Sequence, residues 1–321
     1  MRMRNFGGAA LAAGILFSTA ASAENVTVSV TAIVEHPSLD AVRDGVKAAL
    51  NKAGYVEGKN LTFKFESAQG APAIAAQIAQ RFVGEAPDVI VPISTPSAQA
   101  VVASTPSIPV VFTAVTDPVG ARLVKGFDPT GTNVTGVADF APVKDQVDLM
   151  LEIVPGLKRL GVLYNPGEPN SLSILDKLEQ VAQERNLELV EGPATKSSEV
   201  QSATQNLVGQ VDAVYVPTDN TIVSALEAVL NVGVENKLPV FSSETDSVAR
   251  GALAAVGFDY FQVGVETGDI VARVLKGEKV GSIPVVNAGG SSLAVNASFA
   301  ERIGLTLPDA VIKRADTVIK Q

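Results

Sequence analysis

Two stretches of this chain repeat one pattern. DVIVPISTPSAQA (88–100) runs from an apolar strand through a proline and small polar residues into a helix. DAVYVPTDNTIVSA (212–225) does so again about 124 residues later. IPVVFTAVTDPV (108–119) has a matching partner in LPVFSSETDSV (238–248), so the repeat extends over about 120 residues. That period is far too long for a solenoid and fits two similar lobes.

Short β-branched runs and amphipathic segments alternate within each half. VTVSVTAIV (26–34), LTFKFES (61–67) and DVIVPI (88–93) read as strands. LDAVRDGVKAALNKAGY (39–55) and AIAAQIAQRFVG (73–84) read as helices with one apolar face. The order restarts at RLGVLYN (159–165), followed by a helix over 171–186 capped by Asn170 or Ser171. Strands separated by single helices pair in parallel through right-handed crossovers, which gives open, doubly wound sheets. A second-half helix is expected over TIVSALEAVLNVGVEN, and a final one over DAVIKRADTVIK. Gly136 to Pro142, GFDYFQVG (257–264) and the Gly-rich NAGGSS (287–292) read as three passages between the lobes. The expected division is lobe 1 over 24–140 plus about 262–286, and lobe 2 over 141–258 plus about 290–321.

The N-terminus, MRMRNFGGAALAAGILFSTAASAEN, has two arginines, a short apolar stretch and Ala-Ser-Ala at 21–23. This is the layout of a secretory signal peptide cleaved after Ala23, and its apolar core is shorter than the ~20 residues of a membrane span. The chain has no cysteine, which excludes disulfides, thiol catalysis, cysteine metal sites and a lipid-modified cysteine. A soluble periplasmic protein is therefore expected. Loss of Arg2 and Arg4 would take the formal charge from −9 to −11, which speaks against nucleic acid as a partner.

Ligands of open α/β sheets bind beyond the carboxyl ends of the strands. In this chain those loops are rich in Ser, Thr, Asn, Asp and Pro. Ser94, Thr95 and Ser97 surround Pro96 at a helix start. They make either an ordinary helix cap or a seat for a carboxylate, since the first-turn N–H groups are free. Asp219 is either a cap or the acceptor for a ligand ammonium. Glu168 and Glu244 read as solvated acids or closure contacts. His36 reads as a ligand contact or a polar loop residue, and one histidine cannot build a multi-His metal centre. There is no G-x-S-x-G elbow and no phosphate-binding glycine motif, so neither an enzyme nor a cofactor is expected.

The combination IVEHPSLDAVRDGVKAAL, ISTPSAQA, VFTAVTDPV, LYNPGEPNS, VPTDNTI and GFDYFQVG with TGDIVARVLKGE resembles a family of ABC-transporter substrate-binding proteins that includes receptors for aromatic amino acids. The resemblance implies the type I periplasmic-binding-protein fold, with two Rossmann-like lobes and three crossovers. It also implies a monomer that delivers its ligand to an inner-membrane permease. Carried onto this chain, it places Ser94, Thr95, Ser97, Thr113 and Asp117 at the ligand on lobe 1. On lobe 2 it places Tyr164, Asn165, Asn170 and Ser171, with Asp219 on the ligand amine. The expected function is capture of a small zwitterion, an amino acid, between the lobes; a ligand sensor or a two-carboxylate hydrolase is the alternative.

Overall fold

The computed structural model describes residues 25–320, so the expected signal peptide lies outside the described residues. In the first half the strands are β1 (Val26–Ala32), β2 (Leu61–Ser67), β3 (Val89–Ile93), β4 (Val110–Val115) and β5 (Val134–Ala138). The second half contributes β6 (Arg159–Tyr164), β7 (Glu188–Pro193), β8 (Ala213–Val216), β9 (Val240–Ser242) and β10 (Ala254–Gly257). Three short strands follow: β11 (Val286–Asn287), β12 (Ser292–Asn296) and β13 (Thr317–Ile319). They form two sheets, ordered β11-β5-β4-β3-β1-β2 and β13-β12-β10-β9-β8-β6-β7. All pairings are parallel except β10 with β12. Every residue of β3, β4 and β5 is buried, because helices cover both faces of the sheet and leave no solvent side to be polar.

Each sheet carries its own core. Lobe 2 packs Leu160, Leu163, Tyr215, Phe241 and Phe299 into one cluster. Lobe 1 has a cluster on each face of its sheet, one around Val28, Val30 and Leu50 and the other around Phe82 and Phe112. Helix Pro37–Lys52 lies on helix Tyr260–Leu275 at a distance only glycine permits. A Cβ on Gly45 would sit 2.1 Å from the Phe261 carbonyl oxygen, and one on Gly264 2.1 Å from that of Val42.

The chain changes sheets three times. It leaves β5 through 139–142, returns through 258–259 into helix Tyr260–Leu275, and leaves β11 again through 288–291. The fold is thus the expected α/β pair of parallel-sheet lobes. Three local expectations need correction. Helix Pro169–Glu184 starts two residues earlier, with Glu168 at its cap position and no capping side chain; Asn170 and Ser171 lie inside its first turn. The long helix expected after Asp219 is broken at Ala225 into Asn220–Ser224 and Leu226–Glu235. The last helix stops at Arg314, because the residues beyond it pair with the open edge of β12, Ala294 opposite Thr317.

Candidate functional site

The carboxyl ends of both sheets face one cleft. Between them lies a small cavity walled by His36, Ser94, Thr95 and Thr116 from lobe 1 and by Asn170, Thr218, Asp219 and Glu244 from lobe 2. Asp139 and Tyr260, from the first two crossovers, complete the wall. The lobes touch around it: the Thr116 and Thr218 hydroxyls are 3.4 Å apart, and Ser173 donates to Asp117 at 3.3 Å.

On lobe 2 the chain leaves β8 through Pro217 and starts a helix at Asp219. The Asp219 carboxylate is the cap, accepting the Ile222 N–H at 2.8 Å. It also accepts the Asn165 N–H and the Ser171 hydroxyl, each at 2.6 Å. Capping and cavity lining therefore coexist in one side chain, where the sequence posed them as alternatives. Glu168 packs behind it, taking the N–H and side-chain NH₂ of Asn220 and the N–H and hydroxyl of Thr221. Burial, and then the neighbouring Glu168 charge, push the Asp219 carboxyl up to about 8. No described Lys or Arg forms an ion pair with either acid. The Asn170 side chain donates to the Thr218 carbonyl at 2.8 Å, and its Oδ1 has no partner.

Lobe 1 is built differently. Ser94 precedes helix Thr95–Ser104 with φ +75° and ψ 158°, a region occupied almost only by glycine. Its side chain forms no cap. The hydroxyls of Ser94, Thr95 and Ser97 are all buried without a partner. Ala114 follows with φ +50°, where the pairing of β4 with β5 slips between Phe112 and Val115. A bulge of this kind re-aims the chain at the end of a strand. His36 is buried with Nδ1 unpaired, and burial, then Arg250, push its pKa down to about 3, so the ring is neutral. Glu244 accepts the Ser247 hydroxyl at 2.8 Å, and burial pushes it up to about 7.

Of the residues singled out from the sequence, His36, Ser94, Thr95, Asn170, Asp219 and Glu244 line this cavity. The other six stand around it. Ser171 and the Asn165 N–H hold Asp219, while the Asn165 side chain donates to Thr221 at 2.8 Å. Thr113 accepts from Thr267 beneath the loop, and Ser97 is buried in the first helical turn. Asp117 accepts the Gly120 N–H and the Ser173 hydroxyl. Tyr164 is buried at the end of β6, outside the cavity lining, and donates to Glu191. Asp139 and Tyr260 were not expected from the sequence, whereas Thr116 and Thr218 lie in the loops after β4 and β8 that it assigned to the ligand. Asp139 and Tyr260 lay in segments read only as connections.

A second cavity, of about 440 Å³, lies beside the first and shares Asn220 with it. Ile33, Gln69 and Pro96 face Asn165, Glu168 and Thr221 across it. No group of three or more His, Cys, Asp or Glu residues suited to a metal occurs among the described residues.

Known proteins match this architecture along most of its length. A tyrosine-binding protein of Clostridioides difficile is 42% identical over 275 residues, covering 86% of this chain and 80% of that protein. A conserved domain protein from Vibrio cholerae is 50% identical, with a TM-score of 0.91 over 92% of this chain and 100% of that one. An ABC domain from Streptococcus pneumonia in complex with L-Trp superposes with a TM-score of 0.89 at 34% identity, over 92% and 100% of the two chains. The ligand-free, open structure of a substrate-binding protein from Clostridium difficile is 38% identical over the same shares but reaches only 0.69. The more identical of these last two superposes worse, so the lobes here are disposed as in the liganded relative, in keeping with their contacts across the cleft. A model of the ABC transporter substrate binding proteins matches residues 27–319, and the chain belongs to that family of solute-binding proteins, not of enzymes, whose members typically work outside the cytoplasm with a membrane permease.

Proposed function

We propose that this protein is the periplasmic receptor of an ABC importer and closes its two lobes on an amino acid, preferably an aromatic one. The observation that carries this reading is the opposed chemistry of the two cleft walls. Lobe 2 presents the buried Asp219 carboxylate with Glu168 behind it, and no lysine or arginine lines the cavity. Lobe 1 presents the unpaired hydroxyls of Ser94 and Thr95 and the start of helix Thr95–Ser104. A helix start offers free N–H groups and partial positive charge to an anion. A ligand with an ammonium group at one end and a carboxylate at the other satisfies both walls at once. The relatives that bind tyrosine and hold L-Trp support the same ligand class.

In this mechanism the open protein takes the ligand on one wall and closure brings the second wall to it. Desolvation then strengthens each charge-assisted bond. Micromolar binding needs only about −8 kcal/mol, within reach of a few such bonds. The closed shape with its ligand is what a permease would recognise. Native mass spectrometry of the purified protein, followed by calorimetry with L-tyrosine, L-tryptophan and L-phenylalanine, tests the proposal. Micromolar or tighter binding of at least one is expected; a protein that takes sugars or polyols and none of the three would overturn it.

A further inference from the structure

We propose that Asp139, on the first crossover, is a second acceptor for the ligand's ammonium group, and that its hydrogen bond to Tyr260 ties this recognition to the connections on which the lobes close. The inference rests on the zwitterion reading above and assigns that reading a residue outside both lobes' loops.

Asp139 follows the last residue of β5 and is 2% exposed. It lines the same cavity as Asp219 and Asn170. Its Oδ2 accepts the Tyr260 hydroxyl at 2.8 Å, and its Oδ1 has no partner. The Thr116 hydroxyl lies 3.4 Å from that of Thr218 and is also close enough to the Asp139 carboxyl to help hold its pKa down. A buried carboxylate oxygen without a donor is costly, and the cost is recovered only when a donor arrives. Asp219 differs, since its two oxygens already accept three hydrogen bonds. The Asn170 Oδ1, in the same cavity, is also unpartnered. An alkylammonium carries three N–H donors. Asp139 Oδ1, Asn170 Oδ1 and Asp219 provide three acceptors lining one cavity.

The charges around Asp139 agree with this. Glu244 and the neutral His36 face the same cavity, and Arg250 pairs with Glu227 away from it. Burial pushes the Asp139 carboxyl up to about 6, and an ammonium beside it would hold it ionised. Tyr260 opens the helix that follows the second crossover, 121 residues further along the chain. The Asp139–Tyr260 bond thus joins two of the three passages between the lobes, and a ligand held on Asp139 Oδ1 fixes that junction as the lobes meet.

Calorimetry with L-tyrosine, 3-(4-hydroxyphenyl)propionate and tyramine, on the wild type, Asp139→Asn and Tyr260→Phe, tests the assignment. Asp139→Asn keeps the shape of the side chain, and circular dichroism checks that it folds. We expect it to lose about 100-fold in affinity for L-tyrosine. The amine-free acid should bind it as it binds the wild type, within about twofold. Tyr260→Phe should cost less, about fivefold, and add nothing to Asp139→Asn in the double variant. Equal losses for L-tyrosine and the amine-free acid would make Asp139 a structural residue and overturn the proposal, as would no loss for either. If the wild type binds tyramine as well as L-tyrosine, the zwitterion reading fails. Asp139 then stands if its variant loses tyramine and falls if it does not. Binding of none of the three probes overturns both.

Discussion

The loops after β3 and β8 occupy equivalent places in the two lobes and solve opposite problems. The β8 loop is finished: Asp219 caps its helix, holds the N–H of Asn165 and the hydroxyl of Ser171, and still faces the cavity. The β3 loop is unfinished. Ser94 stands in a glycine-like conformation, and the hydroxyls of Ser94, Thr95 and Ser97 are buried without partners. An internally bonded carboxylate is rigid before ligand arrives, whereas unpaired hydroxyls and a strained backbone gain their bonds only on binding. In the proposed function, lobe 2 supplies a preorganised anchor and lobe 1 the bonds that make closure on a ligand favourable.

The comparison can be broken most forcefully at Asp219. Asp219→Asn should weaken L-tryptophan binding by about 2–5 kcal/mol, because an ammonium would lose its buried counter-charge. Calorimetry reads this directly, and an unchanged affinity would reduce Asp219 to a helix cap. Asp219→Ala should also lower the stability of the ligand-free protein by about 1–3 kcal/mol in urea melts, since three donors lose their acceptor. Thr95→Ala, on the other wall, should leave those melts unchanged while weakening the ligand several-fold.

Ser94→Gly sharpens the contrast. Relief of the backbone at φ +75° should raise stability by about 1 kcal/mol, while loss of the hydroxyl lowers affinity. A variant that gains stability and loses binding would mark the loop as strained for the ligand.

A further effect is expected on pH dependence. Asp219 and Glu244 are pushed up to about 8 and about 7 by burial, so the folded protein binds protons that the unfolded chain has already released. Their contribution is fully present below the ordinary carboxylate range and is lost as pH rises through those values. His36, pushed down to about 3, acts oppositely, and its contribution is lost only as pH falls below its usual 6.5. Between pH 6.5 and 8.5 the ligand-free protein should thus become less stable as pH rises, by a smaller slope in Asp219→Asn. A flat wild-type profile would contradict the buried, unpaired acids.

Much of this was legible in the sequence because local patterns carried it. Continuous β-branched runs such as VIVPI and VVFTAV mark buried parallel strands, and the polar loops that follow them mark the cleft. Asp219 stood out as an acid at a helix start. Asp139 did not, since its role depends on a crossover that brings it to a tyrosine 121 residues away. The final strand was missed for the same kind of reason: Thr317–Ile319 continues a helical pattern locally, and only the free edge of β12 makes it a strand. Nor could the dual role of Asp219 be read, because local sequence cannot show that a capping carboxylate has a second oxygen facing Asn165, Ser171 and the cavity.

That one wall takes an ammonium and the other a carboxylate is tested by calorimetry on the wild-type protein with L-tryptophan, indole-3-propionate and tryptamine. Removing either the amine or the carboxylate should cost about 100-fold or more, as expected when a buried charge-assisted contact is lost on one wall. An analogue lacking either group that binds as tightly as L-tryptophan would contradict it.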